Sequence, residues 1–159
     1  MPMLETKDGT KLYVKDWGQG RPVILIHGWP LTADSWEHQA LALAEAGYRV
    51  ISYDRRGFGR SEQPFSGYDY DTLADDLADI INKLDLRDAS VFGFSMGGGE
   101  VSRYIGRHGT GALRQAGLIS SIAPFMGKTD DNPEGVPGDV FEDMKAGVRK
   151  DRAAFMGNF

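Results

Sequence analysis

The stretch Gly93-Phe94-Ser95-Met96-Gly97 places a serine two residues from a glycine on either side. A serine hydroxyl attacks a carbonyl only when it is exposed, next to a base, and close to donors for the oxyanion that forms. The Gly-x-Ser-x-Gly pattern supplies the exposure. It holds the serine on a sharp turn from a strand into a helix, and the glycines leave room for the crowded backbone. Ala89 to Phe94 reads as a short buried strand, and Gly97-Gly98-Gly99 opens a helix from Met96 to Arg107. Ser95 is therefore the candidate nucleophile. The N–H of Met96, at a helix N-terminus whose dipole favours negative charge, is a candidate oxyanion donor. An incidental serine in a glycine-rich turn is the plainer alternative, and the position directly after a strand weighs against it.

His27-Gly28-Trp29-Pro30 follows directly on the apolar run Val23 to Ile26. A serine site of this kind takes its second oxyanion N–H from the loop after such a strand. Trp29 is the candidate donor, because Pro30 has no N–H to give. Pro30 also restricts the backbone of Trp29 and so fixes where its carbonyl points. The Trp29 ring can pack as core at the same time, since only the backbone is needed.

The elements that must position these groups alternate. Met3 to Thr6 and Lys11 to Trp17 read as an antiparallel hairpin around Asp8-Gly9. Pro22 to Ile26 is continuously apolar, as expected of a strand buried on both faces. Thr32 or Asp34 caps a helix with apolar positions Trp36, Ala40, Leu43 and Ala44, stopped by Gly47. Tyr48 to Tyr53 is the next strand. Asp71 to Leu84 is an amphipathic helix with Leu73, Leu77, Ile80, Ile81 and Leu84 on one stripe and Asp75, Asp76 and Asp79 facing outward. Ala116 to Ile122 reads as another buried strand, Lys128 to Asp139 as a loop, and Val140 to Gly157 as a last helix. Strands alternating with helices after a hairpin mean an α/β fold with a mostly parallel sheet and helices on both faces.

Composition narrows the function. The net charge of −5 over 159 residues argues against nucleic acid and anionic membrane surfaces. Without cysteine there is neither a thiolate nucleophile nor a cysteine metal site. The N-terminus does not read as a signal peptide, and no apolar run approaches the roughly 20 residues of a membrane span. The expected setting is the cytoplasm.

The remaining titratable residues offer no base. His27 reads as structural, His38 as a surface residue, and His108 lies about 20 Å from Ser95 along the helix. Proton transfer needs contact at about 3 Å. Asp54 resembles a triad acid in its place after a strand, but with Arg55, Arg56 and Arg60 beside it a salt-bridged loop is expected. Asp75, Asp76 and Asp79 read as a charged helical face, not a metal site.

The stretches above, with Tyr53-Asp54-Arg55-Arg56-Gly57-Phe58-Gly59-Arg60-Ser61, Tyr68-Asp69-Tyr70-Asp71-Thr72 and Gly97-Gly98-Gly99-Glu100-Val101, resemble the bacterial arylesterase and cofactor-free haloperoxidase (perhydrolase) branch of the α/β-hydrolases. The loop Gly135-Val136-Pro137 and the segment Asp139 to Phe159 fit as well. The resemblance implies the α/β-hydrolase fold and hydrolysis of small carboxylic esters through an acyl-serine, without a cofactor. It also implies transfer of the acyl group to hydrogen peroxide, giving a peracid able to oxidise halide. In that branch a proline after the aromatic residue goes with perhydrolysis, which draws attention to Pro30.

In such enzymes the triad runs serine, acid, histidine along the chain. The resemblance therefore implies that residues 1–126 are the N-terminal part of the core and 127–159 the start of a helical cap. The histidine, the acid and the last strands would come from outside this chain, as a second polypeptide or a further segment. Alone the chain would be largely inactive, with Ala116 to Ile122 an exposed apolar edge. A homo-oligomer of complete units is expected. Trp29, Pro30, Phe125, Phe141 and Phe159 would line an apolar acyl or aryl pocket. The rival readings are a non-catalytic ligand-binding protein of the same fold and an inactive fragment. Dehalogenases and epoxide hydrolases use an aspartate nucleophile, and serine at position 95 argues against them.

Overall fold

The computed structural model describes residues 3–123 and 125–158. Two compact units divide the chain, Met1–Ala123 and Pro124–Phe159.

The first unit is built on six strands in the order β1-β2-β4-β3-β5-β6. β1 (Met3–Glu5) and β2 (Lys11–Trp17) form the expected hairpin, with Leu4 opposite Leu12. Asp8 Oδ1 accepts the Thr10 N–H at 3.0 Å, and Gly9 takes a φ of 89° that closes the turn. β2 runs antiparallel to β4 (Tyr48–Tyr53), and β3 (Arg21–Ile26) runs parallel to β4 and to β5 (Ala89–Phe94). Val23 to Ile26 are all buried, because alternate residues enter different cores. Ile24 and Ile26 pack with α2 (Tyr70–Lys83) and α3 (Met96–His108). Val23 and Leu25 pack with α1 (Glu37–Glu45).

Thr32 caps a 3-10 turn, Ala33–Trp36, that leads into α1. Asp69 caps α2, its side chain accepting the Thr72 N–H at 2.9 Å. Leu73, Leu77, Ile80 and Ile81 of the apolar stripe are buried as expected and Leu84 partly so, but two of the aspartates do not face outward. Asp76 and Asp79 are 2 % and 4 % exposed. Arg56 reaches Asp76 with two donors at 2.6 Å each, and the Lys7 N–H donates to Asp79 at 2.7 Å. Helical periodicity carries no sign of partners so far away in the chain.

β6 spans Leu113–Ile119, three residues earlier than the expected Ala116 to Ile122 at each end. Its ladder runs from Ala89 opposite Leu113 to Phe94 opposite Ile119, and Ser120 then turns away at a φ of 42°. The strand is not buried: Leu118 and Ile119 are 50 % and 41 % exposed at the sheet edge.

In the second unit the single helix expected from Val140 to Gly157 is two. α4 (Gly138–Lys150) ends at Asp151, whose backbone is extended, and α5 (Arg152–Asn158) begins there. Asp151 Oδ1 accepts the Ala154 N–H at 3.0 Å and so caps α5. Phe155 packs back on Gly147, where a Cβ would meet its ring at 2.8 Å. Among the described residues no helix is long and apolar enough to cross a membrane.

Candidate active site

The parallel register sets Ile26 beside both Tyr53 and Gly93. The residues that follow β3, β4 and β5 therefore emerge at one carboxyl edge, where ligand sites gather in open α/β sheets.

Ser95 sits at the β5–α3 junction with φ 52° and ψ −115°, a conformation that costs a residue with a side chain. The surroundings hold it there. Its N–H donates to the Ile119 carbonyl at 2.9 Å, and its own carbonyl accepts from Gly98 at 3.0 Å and Ile122 at 3.3 Å. The glycines on either side leave no room for anything larger. A Cβ on Gly93 would lie 2.3 Å from the Gly97 carbonyl oxygen, and one on Gly97 would lie 2.6 Å from that of Ile26. Met96 is the first residue of α3, and its carbonyl accepts the Tyr70 hydroxyl at 3.2 Å.

The loop after β3 lies against this turn. A Cβ on Gly28 would come within 3.1 Å of the Ser95 Cβ. Trp29 follows, half-buried, and Pro30 is exposed; the peptide between them is cis. Leu31 donates to the Gly28 carbonyl at 3.0 Å and closes the loop.

His27 is fully buried, with Nδ1 at 2.8 Å from the Gly28 carbonyl and Nε2 accepting the Arg55 N–H at 3.1 Å. The ring is thus neutral with its proton on Nδ1. Burial, reinforced by the Arg55 charge, pulls its pKa down to about 4. Both nitrogens are spent on backbone, so His27 is structural. His38 is exposed on α1, and His108 ends α3 beside Asp75 at 2.7 Å. None of the three histidines stands as a base for Ser95.

Asp54 is fully buried, and both its oxygens are occupied: one by the Ala33 N–H at 2.7 Å, the other by Arg60 at 2.8 and 3.2 Å. It ties two loops together. This is the expected salt-bridged loop, made by one of the three neighbouring arginines. Arg60 alone among them pairs with Asp54, while Arg56 turns to Asp76 and Asp8. Arg55 turns to Glu100, a fully buried residue of α3 that is not among the site residues expected from the sequence. A glutamate in the first turns of a helix beside apolar neighbours was its only signal.

Phe125 and Phe141 belong to the second unit, the first 47 % exposed and the second half-buried. Phe159 lies outside the described residues. Among the described residues no group of three or more carboxylates and histidines converges to hold a metal ion. Asp75, Asp76 and Asp79 each carry a cationic side chain instead.

A backbone of this shape, with a strained serine between β5 and α3 and a glycine loop from β3 against it, defines the class. The chain belongs to the alpha/beta hydrolase fold family, which matches residues 21–154. It is 56% identical over 155 residues to a non-heme chloroperoxidase of Kitasatospora aureofaciens, covering 98% of this chain and 56% of that protein. It is 43% identical over 157 residues to a bifunctional esterase/perhydrolase of Acinetobacter calcoaceticus, covering 98% and 57%. Among solved structures, a bromoperoxidase from Bacillus anthracis superposes with a TM-score of 0.93 at 47% identity, covering 99% of this chain and 58% of that one. The chain thus spans just over half the length of the curated relatives it matches.

Proposed function

We propose that this chain carries the nucleophile and oxyanion half of a serine esterase that works through an acyl-serine. The observation that supports it most is the Ser95 backbone, φ 52° and ψ −115°, held at a strand-to-helix turn with Gly28 packed against it. That shape lifts a serine side chain out of the helix and toward a bound ester. Ser95 Oγ attacks the acyl carbon of a small carboxylic ester and its proton passes to a histidine. The N–H groups of Met96 and Trp29 hold the oxyanion. The C–O bond to the leaving alcohol then breaks as the histidine returns the proton. Water attacks the acyl-serine and releases the acid.

With hydrogen peroxide in place of water, the same acyl-serine yields a peracid. The names of the relatives, non-heme chloroperoxidase and esterase/perhydrolase, favour this second outcome. The histidine and its orienting acid come from residues outside this chain, since the three histidines within it are committed elsewhere or distant. Residues from 127 onward form the start of a cap, and Trp29 and Pro30 lie beside the acyl group. Complete units assemble as a homo-oligomer.

The reading is tested by pre-steady-state kinetics on the complete enzyme with a nitrophenyl ester. The expected result is a burst of nitrophenol that Ser95→Ala abolishes. An unchanged burst in Ser95→Ala would reject Ser95 as the nucleophile, and no burst in the unmodified enzyme would leave a binding protein of this fold.

A further inference from the structure

Behind the Ser95 turn lies a buried ion pair that the acyl-transfer steps do not use. The Arg55 and Glu100 side chains are 1 % and 0 % exposed, with Arg55 Nε donating to Glu100 Oε2 at 2.7 Å. The remaining Glu100 oxygen accepts the Tyr53 hydroxyl, which burial keeps protonated. Arg55 Nη2 donates to the His27 carbonyl at 2.8 Å, and Nη1 rests 3.7 Å from Met96 Sδ. Its backbone N–H holds the His27 ring as well. One guanidinium therefore joins the residue before Gly28 to the residue after Ser95.

A buried ion pair contributes little net stability, because desolvating two charges offsets most of their attraction. An apolar pair would close this end of the sheet as well. What a guanidinium adds is fixed geometry: planar donors at set angles, held by a carboxylate that is itself fixed. The His27 carbonyl it grips also lies where a Cβ on Gly97 would come within 2.9 Å, so loop and helix meet at that atom.

Resting on the acyl-transfer reading of Ser95, we infer that Arg55, held by Glu100, is a positioning residue that sets the spacing between the Trp29 and Met96 N–H groups. Oxyanion donors act only when placed to within a fraction of an ångström, and a displaced donor loses most of its effect. Arg55 touches no substrate in this account; it acts through the loop and the helix it joins.

The test uses the complete enzyme with Glu100→Gln, Arg55→Lys and the mild Tyr53→Phe, which removes one hydroxyl. Burst amplitude counts the working sites in each. Acylation rate per counted site is expected to fall about tenfold to a hundredfold in the first two variants, and about threefold in Tyr53→Phe, with KM nearly constant. Affinity for a boronic acid, whose tetrahedral adduct on Ser95 puts an oxygen between the two donors, falls in step. Fewer counted sites with an unchanged rate per site and unchanged boronate affinity would overturn the inference. So would a full rate in Arg55→Lys, which keeps the charge and loses the fork. Absence of a Ser95-dependent burst in the unmodified enzyme would instead reject the acyl-transfer reading itself, and the inference with it.

Discussion

The backbone N–H of Arg55 donates to Nε2 of His27 across 3.1 Å of fully buried space. This bond fixes the neutral form of the ring. A protonated His27 would present an N–H to an N–H, so protonation and the native loop exclude each other.

Stability should therefore fall with acid in a defined window. The folded pKa of His27 is lowered to about 4 from an ordinary value of 6.5. Unfolding then takes up a proton below 6.5, so the contribution is complete above that pH and is lost as pH drops toward 4. Its full size is about 3 kcal/mol. Urea midpoints of the complete enzyme between pH 7 and 4 should decline more steeply than those of His27→Gln; parallel declines would refute the assignment.

Asp76 and Arg56 form a second buried pair, 3 % and 2 % exposed. Asp76→Asn leaves the Arg56 charge with only a half-exposed Asp8 and should destabilise by about 3 kcal/mol. The double variant Arg56→Met, Asp76→Leu should lose less than the sum of the single changes. A double-mutant cycle by chemical denaturation measures this, and additive losses would count against the pair.

Two glycines of α3 should respond in opposite ways to alanine. A Cβ at Gly97 strikes the Ile26 carbonyl at 2.6 Å, whereas one at Gly106 meets nothing within 4 Å. Gly97→Ala should cost esterase activity at least about a hundredfold by shifting the oxyanion loop. Gly106→Ala should leave activity intact and raise stability by about 1 kcal/mol. Thermal melts and nitrophenyl ester rates on the pair give the comparison directly.

Pro30 follows the proposed donor Trp29 and is exposed. If it aims the Trp29 carbonyl at attacking peroxide, Pro30→Leu should lower the ratio of peracid formation to ester hydrolysis. Assays with acetate and peroxide beside ester hydrolysis report the ratio. An unchanged ratio would separate Pro30 from perhydrolysis.

The local parts of this site were legible in the sequence. Gly93 and Gly97 announced a turn around Ser95, and the apolar run ending at Ile26 placed the second loop beside it. These signals are short-range, set by backbone room and by burial. What escaped was long-range polar pairing. Asp76 and Asp79 looked like a solvated face because a helix wheel cannot see Arg56 or Lys7. Glu100 looked like an ordinary helix residue because its partners, Tyr53 at the end of β4 and Arg55 in the loop after it, are far away in the chain. The break at Asp151 was readable as a capping aspartate, but the apolar spacing running through it concealed the stop.

In the proposed mechanism Ser95 takes up the acyl group. Mixing the complete enzyme with nitrophenyl acetate, quenching in acid within the burst, and sequencing the peptides by mass spectrometry tests it most directly. The expected result is one acetyl group per working site, on Ser95, and none in Ser95→Ala. Acetyl on another residue, or turnover that persists in Ser95→Ala, would contradict it.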